Sequence, residues 1–555
     1  MRYTTDTGPM LAADGTPLKR SLARALRVQK LRALALIAPL LIFVLVTFIA
    51  PILDMLFRSV ENQIVPNTLP LTVEVLSGWS SESGAPPSED VYEGLYDDLF
   101  LATVAKRHTR VGTRLNYEQN GLSSLFRGAG RDVADIGKDQ IGALEDLNKA
   151  WEEGAFWYEL MTGGEGAEPD TTFLDDQRAR LAQLTGDSFR GDIGFIPGRQ
   201  ISKLLPRTVR AYSAFALFTV IANENVVSEE APWEAVKVSL LEELRSGVDL
   251  SGYYGPGAEV LHTTQKLAQS QPEIAFRDAF IEMDPAWGEV ATWRTIQIYS
   301  PEFTNGYFFN AMDMQKGIYG AEARPESQQI YIKLFKRTLI TSLVICGACI
   351  LLGYPVAYFL SNLPRRSANL LMILVLLPFW TSLLVRTAAW KVMLQQQGVI
   401  NDMMVWLGLI DDAGRLVMMN NQFGTIVAMT HILLPFMILP MYSVMSTIPP
   451  CYVRAARSLG ATQWTAFWRV YLPQSVPGIG AGSILVFILS IGYYITPEIV
   501  GGATGTLISN RIAYHISSSL NWGLAAALGT ILLAAVLMLY WAYDKIVGID
   551  NVKLG

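Results

Sequence analysis

Six strongly apolar runs, at about 31–58, 335–361, 369–389, 422–446, 476–496 and 523–543, constrain this chain more than any other feature. Each approaches or exceeds the roughly 20 residues that cross a bilayer as a helix. In hydrocarbon the backbone must satisfy its own hydrogen bonds, so an apolar run of this length folds as a helix. Between the first and second runs stands a polar segment, 59–330, that holds 41 Asp and Glu against 22 Lys and Arg. The whole chain is 51% hydrophobic and 17% charged, a balance for a membrane bundle carrying a water-facing domain. The fold class expected is mostly α: six transmembrane helices with a large, mainly helical extracytoplasmic domain inserted between spans 1 and 2.

The inserted segment breaks at Gly78–Asp90, Gly163–Asp170 and Gly252–Gly257, stretches rich in Gly, Pro, Ser or acids. Between these breaks, Asp132–Leu160 and Ser202–Ala222 place apolar residues three and four apart, the helical period. Ala211–Ala222 is nearly all apolar, yet twelve residues cannot span a membrane, so it is expected as a buried core helix. Strands remain open. A segment of this length can bury a core of its own.

Charge sets the orientation. Lys19, Arg20, Arg24, Arg27 and Lys30 precede the first run and put residues 1–30 in the cytoplasm. The run is too long for a signal peptide and no A-x-A site follows closely, so it reads as an uncleaved span. Counting onward, Arg365, Arg366, Arg454, Arg457 and Arg469 fall inside, and Asp402, Asp411, Asp412 and Glu498 fall outside. Both termini, including the tail 546–555, are then cytoplasmic. The loop 447–475 is cytoplasmic, within a core running over 331–545.

Signals for bond-making chemistry are weak. Cys346-x-x-Cys349 lies in an apolar run, where two thiols are packing residues, because structural zinc takes four ligands. No metal, cofactor or catalytic residue is expected, and no P-loop or G-x-S-x-G elbow occurs. Nucleic acid is not an expected partner. His108 and His262 are isolated, and His431 in the fourth run is expected to pack or hydrogen-bond. Gly501-Gly502-Ala503-Thr504-Gly505 lacks the P-loop lysine and reads as a flexible outer loop. Pro355, Pro378, Pro435, Pro440 and Pro477 suit kinked helices lining a pathway, and equally the general tolerance of membrane helices for proline. Arg386 near an outer membrane border is either a gate residue or a snorkelling cation. Glu498, with Trp380, Trp390, Tyr493 and Tyr494, offers charge and aromatic faces to a cationic solute, or an interfacial aromatic belt.

Several words in order carry a resemblance: Gly353-Tyr354-Pro355, Leu363-Pro364-Arg365-Arg366, Leu377-Pro378-Phe379-Trp380, Val385-Arg386-Thr387-Ala388-Ala389-Trp390, Gly398-Val399-Ile400-Asn401, Leu407-Gly408-Leu409-Ile410 and Ile495-Thr496-Pro497-Glu498. From about Tyr331 to Tyr543 the chain resembles inner-membrane permeases of binding-protein-dependent ABC importers, the spermidine/putrescine type in particular. That family's coupling loop reads E-A-A, three residues, G, nine residues, I-x-L-P. Ala455, Ala456, Gly460, Leu472 and Pro473 fit it; Val470 replaces isoleucine and Arg454 replaces glutamate. The resemblance implies a short helix docking on an ATPase, a tight turn and re-entry into the bilayer. It also implies a bacterial inner-membrane subunit without enzymatic activity. Its partners would be ABC ATPase subunits, a second permease subunit, an extracytoplasmic solute-binding protein, membrane lipid and a small-molecule substrate, a polyamine first. The insertion departs from the pattern, which resumes at Ser300–Tyr307. A membrane-anchored sensor or enzyme acting through the inserted domain is the competing expectation.

Overall fold

A computed structural model describes residues 18–317 and 319–547. Of the expected N-terminal segment 1–30 and tail 546–555, residues 1–17 and 548–555 lie outside the described residues. The chain divides into two compact units, 1–60 with 327–555, and 61–326.

In the membrane unit, five helices among the described residues are long and apolar enough to cross a bilayer: Gln29–Arg58, Tyr331–Ser361, Gln422–Met445, Gln463–Gly492 and Trp522–Tyr543. A bent pair, Arg365–Trp380 with Leu383–Trp406, makes a sixth if taken as one span. The span expected over 369–389 falls on this pair, whose two halves meet at 91°. The cause is local. Pro378 brings no N–H, Thr381 and Ser382 turn extended (ψ 147° and 139°), and the Thr381 hydroxyl donates to the Pro378 carbonyl at 2.8 Å.

Prolines elsewhere are absorbed without a break. One π turn, Leu45–Ile49, stands before Pro51, and a second, Phe467–Tyr471, stands before Pro473. In each the next N–H reaches back five residues, Ala50 to Leu45 and Leu472 to Phe467, so the helix continues past the missing donor. Leu472-Pro473 is thus no point of chain reversal. The fifth span starts at Gln463, well before the expected 476.

The fourth and fifth spans pack backbone to backbone. A Cβ on Gly478 would meet Met441 Cα at 3.1 Å, and one on Gly482 would meet the Met437 carbonyl at 3.1 Å. This Gly-x-x-x-Gly face closes on Met437, Ile438 and Met441, with Ile345, Cys346 and Cys349 of the second span in the same core. Both thiols are buried against carbonyls, Cys346 on Ser483 and Cys349 on Thr430, each at 3.6 Å.

The inserted unit is helical apart from one hairpin, in which Met314–Lys316 pairs antiparallel with Ala321–Ala323, Met314 opposite Ala323. Pro206–Ile221 is the expected core helix, with Tyr212, Phe215 and Leu217 buried. The expected 132–160 helix instead splits at Asn148 and Glu153, both extended.

Within this unit the same pattern occurs twice. Leu69, Pro70, Thr72, Val73, Trp151 and Trp157 recur at one constant offset as Leu205, Pro206, Thr208, Val209, Trp287 and Trp293. Both Leu-Pro steps share a backbone (Leu69 φ −124°, ψ 50°; Leu205 φ −128°, ψ 61°). Both copies read Ala-Trp-x-Glu-x-Ala-x-Trp. In each, the second indole donates to the first tryptophan's carbonyl, at 3.0 Å and 2.7 Å. Asn148 and Asp284 cap the equivalent turns through Ala150 N–H and Ala286 N–H. Between these markers the helix Glu89–Val104 corresponds to Glu234–Arg245. In each copy a threonine binds the second acid of a pair: Thr72 donates its N–H and hydroxyl to Asp98, and Thr208 donates both to Glu243. The inserted unit is an internal duplication, and its pairing crosses over. Val65 and Leu69 share a core with Trp287 and Trp293, whereas Ile201 and Leu205 share one with Trp151 and Trp157.

Candidate functional site

The loop at 447–475 builds a short exposed helix, Pro450–Ser458. It opens on Pro450, whose fixed φ suits a first helical position. It ends on Gly460 at φ 90°. The Gly460 N–H reaches the Arg457 carbonyl at 3.0 Å, and the Ala461 N–H reaches that of Ala456 at 3.1 Å. These paired bonds are a Schellman cap, which needs a left-handed residue and so favours glycine. Arg454, Ala455 and Arg457 face solvent, and Ala456 is half-buried. Thr462 then caps the next helix through Thr465 N–H at 3.2 Å. That helix runs through the π turn into the fifth span, with Leu472 half-buried and Pro473 exposed on it.

Around this helix the surface is apolar. Leu459 is 90% exposed, Trp464 71%, and Tyr452 and Trp468 are also exposed. These side chains escaped the sequence reading, because the family words mark the helix and turn but not the flanking aromatics. Large apolar groups beside basic residues on one exposed elbow are what a docking surface carries.

A second region gathers behind the broken span. Trp390 donates its indole N–H to His431 Nδ1 at 3.1 Å, with the rings edge-on at 5.3 Å. Imidazole Nε2 is then the protonated nitrogen of the neutral ring. The charge of Arg386 acts on both His431 and Tyr493. Its Nε is buried with no acceptor among the described residues. Thr387 meets Thr496 at 3.3 Å, joining the second half of the broken span to the helix Ile495–Val500.

The other expected pathway residues make contacts of their own. Trp380 ends the first half of the broken span, 68% exposed. Glu498 is exposed and accepts from Asn510 Nδ2 at 2.6 Å. Tyr494 contributes its carbonyl to the same Asn510 amide at 2.9 Å. Asn510 was absent from the sequence reading, since nothing local in Leu507–Arg511 announces a carboxylate partner.

Gly501–Gly505 is corrected from the flexible loop expected. Gly502–Gly505 is helical, and added Cβ atoms would meet Thr425 Oγ1 at 2.6 Å (Gly501, Gly505) or the Asn420 carbonyl at 2.6 Å (Gly502). Arg337 of the second span donates to the Ala503 and Thr506 carbonyls at 2.9 and 3.2 Å. These glycines are there for close packing.

Residues 349–547 match the family described as binding-protein-dependent transport system inner membrane component. The chain is 34% identical over 220 residues to the spermidine/putrescine transport system permease protein PotB of Escherichia coli (strain K12), covering 39% of this chain and 79% of that one. The protein of the same description from Haemophilus influenzae is 35% identical, with 39% and 76% covered. The E. coli inner membrane ABC transporter permease protein YdcU is 31% identical, with 38% and 70% covered. Among solved structures, a bacterial alginate ABC transporter in complex with alginate pentasaccharide-bound periplasmic protein aligns at TM-score 0.34 and 22% identity, over 39% of this chain and 77% of that one. The family match leaves 61–326 outside its bounds. With most of the PotB length reproduced at this identity on a bundle of apolar membrane-length helices, the chain belongs to the inner-membrane permeases of binding-protein-dependent ABC importers.

Proposed function

We propose that this permease imports a polyamine, driven by ATP hydrolysed in separate subunits that dock on the elbow Pro450–Pro473. The carrying observation is that elbow: a Schellman-capped helix with Leu459 and Trp464 bare beside Arg454 and Arg457, continuous through a π turn with the fifth span. A push on the short helix is thereby delivered to a membrane helix whose Gly478–Gly482 face grips the fourth span. Closure of the ATPases would move these spans as one lever and alternate access.

The E-A-A position holds Arg454 in this chain, so the polar contact at the helix head is made by a cation and wants an acidic partner on the ATPase. Basic residues on this elbow and acids at the opposite loop ends support cytoplasmic termini and an extracytoplasmic inserted unit. A second permease copy or paralogue and an extracytoplasmic solute-binding protein complete the complex. The solute reading rests on the PotB descriptions, and Glu498, Tyr493 and Trp390 furnish carboxylate and ring faces suited to alkylammonium groups.

The test is the reconstituted complex in nanodiscs. ATP hydrolysis should rise on adding binding protein loaded with spermidine or putrescine, and labelled polyamine should accumulate in proteoliposomes. Stimulation by a different solute alone would overturn the polyamine reading, and no stimulation by any solute would overturn the docking one.

A further inference from the structure

In the inserted unit a small cleft of about 40 Å³ opens among the helices Glu89–Val104, Thr172–Thr185, Pro206–Ile221 and Glu234–Arg245. Apolar walls come from Phe100 and Trp233, and polar ones from Asp97, Arg180, Arg207 and Arg210.

Two of the three arginines are committed. Arg180 meets the fully buried Asp98 at 2.6 Å. Arg207 meets Asp97 at 3.1 Å and also pairs with Glu93. Arg210 makes no hydrogen bond or ion pair among the described residues, although its charge is felt by Asp97. Its Nε is buried without an acceptor, and its guanidinium lies 5.8 Å from the Phe173 ring centroid. Arg207 Nε is likewise buried and unmatched. Burying unmatched donors costs stability, so a fold keeps them when something else fills them.

The duplication supplies an internal control. Positions 207 and 210 correspond to Leu71 and Glu74 in the first copy. The flanking structural residues are held in both copies, the Leu-Pro step and the threonine that binds the acid pair. The repeated fold therefore needs no arginine at either place. The second copy alone carries both, and both line the cavity.

We propose that this cavity binds a small carboxylate whose anionic end meets Arg210 and the unmatched Nε of Arg207 and whose short apolar body lies on Trp233 and Phe100. The pairing logic fits. A planar carboxylate takes two parallel guanidinium N–H donors, and the aromatic walls exclude water from the rest. Burial pushes the Asp97 carboxyl up to about 7, against the lowering pull of Arg180 and Arg210 and with Asp98 and Glu243 raising it further.

The experiment is calorimetric titration of the full-length protein in nanodiscs with butyrate, phosphate and putrescine. Butyrate should bind saturably. R210Q should weaken it by roughly tenfold or more, the loss of one charge-assisted pair. R210K should restore part of the affinity. R210E introduces the residue type the first copy carries, so it should keep the wild-type thermal midpoint to within about 2 °C while abolishing binding; R207L also strips Asp97 and Glu93 of their cation and should melt lower than wild type. Absence of saturable butyrate binding, or butyrate affinity unchanged in R210Q, overturns the proposal. Binding of phosphate or putrescine in its place overturns the carboxylate class. A collapse of folding in R210Q and R210E alike would mean Arg210 is structural, and would overturn it too.

Discussion

Gly460 is one residue with two duties. Its φ of 90° ends the helix Pro450–Ser458, and its lack of a Cβ leaves open space on the exposed side. Gly460→Val should cost roughly 1–2 kcal/mol locally, fraying the cap. Transport by the reconstituted complex should fall at least about tenfold while basal ATP hydrolysis persists. Gly460→Asn, which tolerates the left-handed region, should retain most uptake. Equal uptake in Gly460→Val and wild type would remove the elbow from the mechanism. Asp97 makes a separate residue-scale prediction. Its unfolded carboxyl loses a proton near 3.8, its folded one near 7. Between those values the folded state holds the extra proton, so this group's stabilising contribution is full below pH 4 and is lost as pH rises toward 7. Asp97→Asn should narrow the difference in thermal midpoint between pH 5 and pH 8, by roughly 2–4 °C for each kcal/mol involved. Tryptophan fluorescence melts of the full-length protein measure it, and an unchanged gap would contradict the assignment.

At the scale of elements, the contact between the fourth and fifth spans turns on backbone approach. Gly482→Leu forces a side chain into the Met437 carbonyl at 3.1 Å and should cost about 1–3 kcal/mol or block assembly, read as loss of monodisperse protein in detergent. Gly482→Ala meets mainly the Met437 sulfur, at 2.7 Å, a flexible atom, and should be milder. Hydropathy made most membrane helices legible, because apolar runs of bilayer length have few alternatives. It could not reveal the 91° break at Thr381–Ser382, since both halves are equally apolar and the break depends on a few dihedrals beside Pro378. The early start of the fifth span was hidden for a related reason. Trp464 and Arg469 look like loop, yet the π turn carries the helix through them. The elbow residues were legible by spacing, and the exposed Leu459 and Trp464 beside them only by surface. Arg180–Asp98 and Arg207–Asp97 lie far apart in sequence, beyond any local pattern. The duplication was the signal that could have brought them forward, through the repeated Ala-Trp-x-Glu-x-Ala-x-Trp.

For the whole molecule, charge is the organising quantity. Segment 59–330 carries 41 acids against 22 bases, while the chain as a whole is only −6. An acidic body of this size raises the local concentration of a polycation and speeds its capture. Spermidine uptake by the complex should therefore show an apparent KM that rises several-fold between about 10 mM and 150 mM salt, as the Debye length shrinks from roughly 30 Å to 8 Å, with kcat little changed. A salt-independent KM would leave the acidic body a solubility role alone.

The crossed pairing of the two copies also bears on how the chain is made. Leu69 shares its core with Trp293, and Gln297 caps the Leu76 and Trp79 carbonyls at 3.3 and 2.7 Å, so the earliest helices of the inserted unit complete their packing with its last ones. Neither copy closes a core by itself. The core that holds Leu69 must stay open until the residues near 298 have emerged. A ribosome stalled anywhere before that point leaves a nascent chain with bare tryptophans and leucines for chaperones and proteases to find.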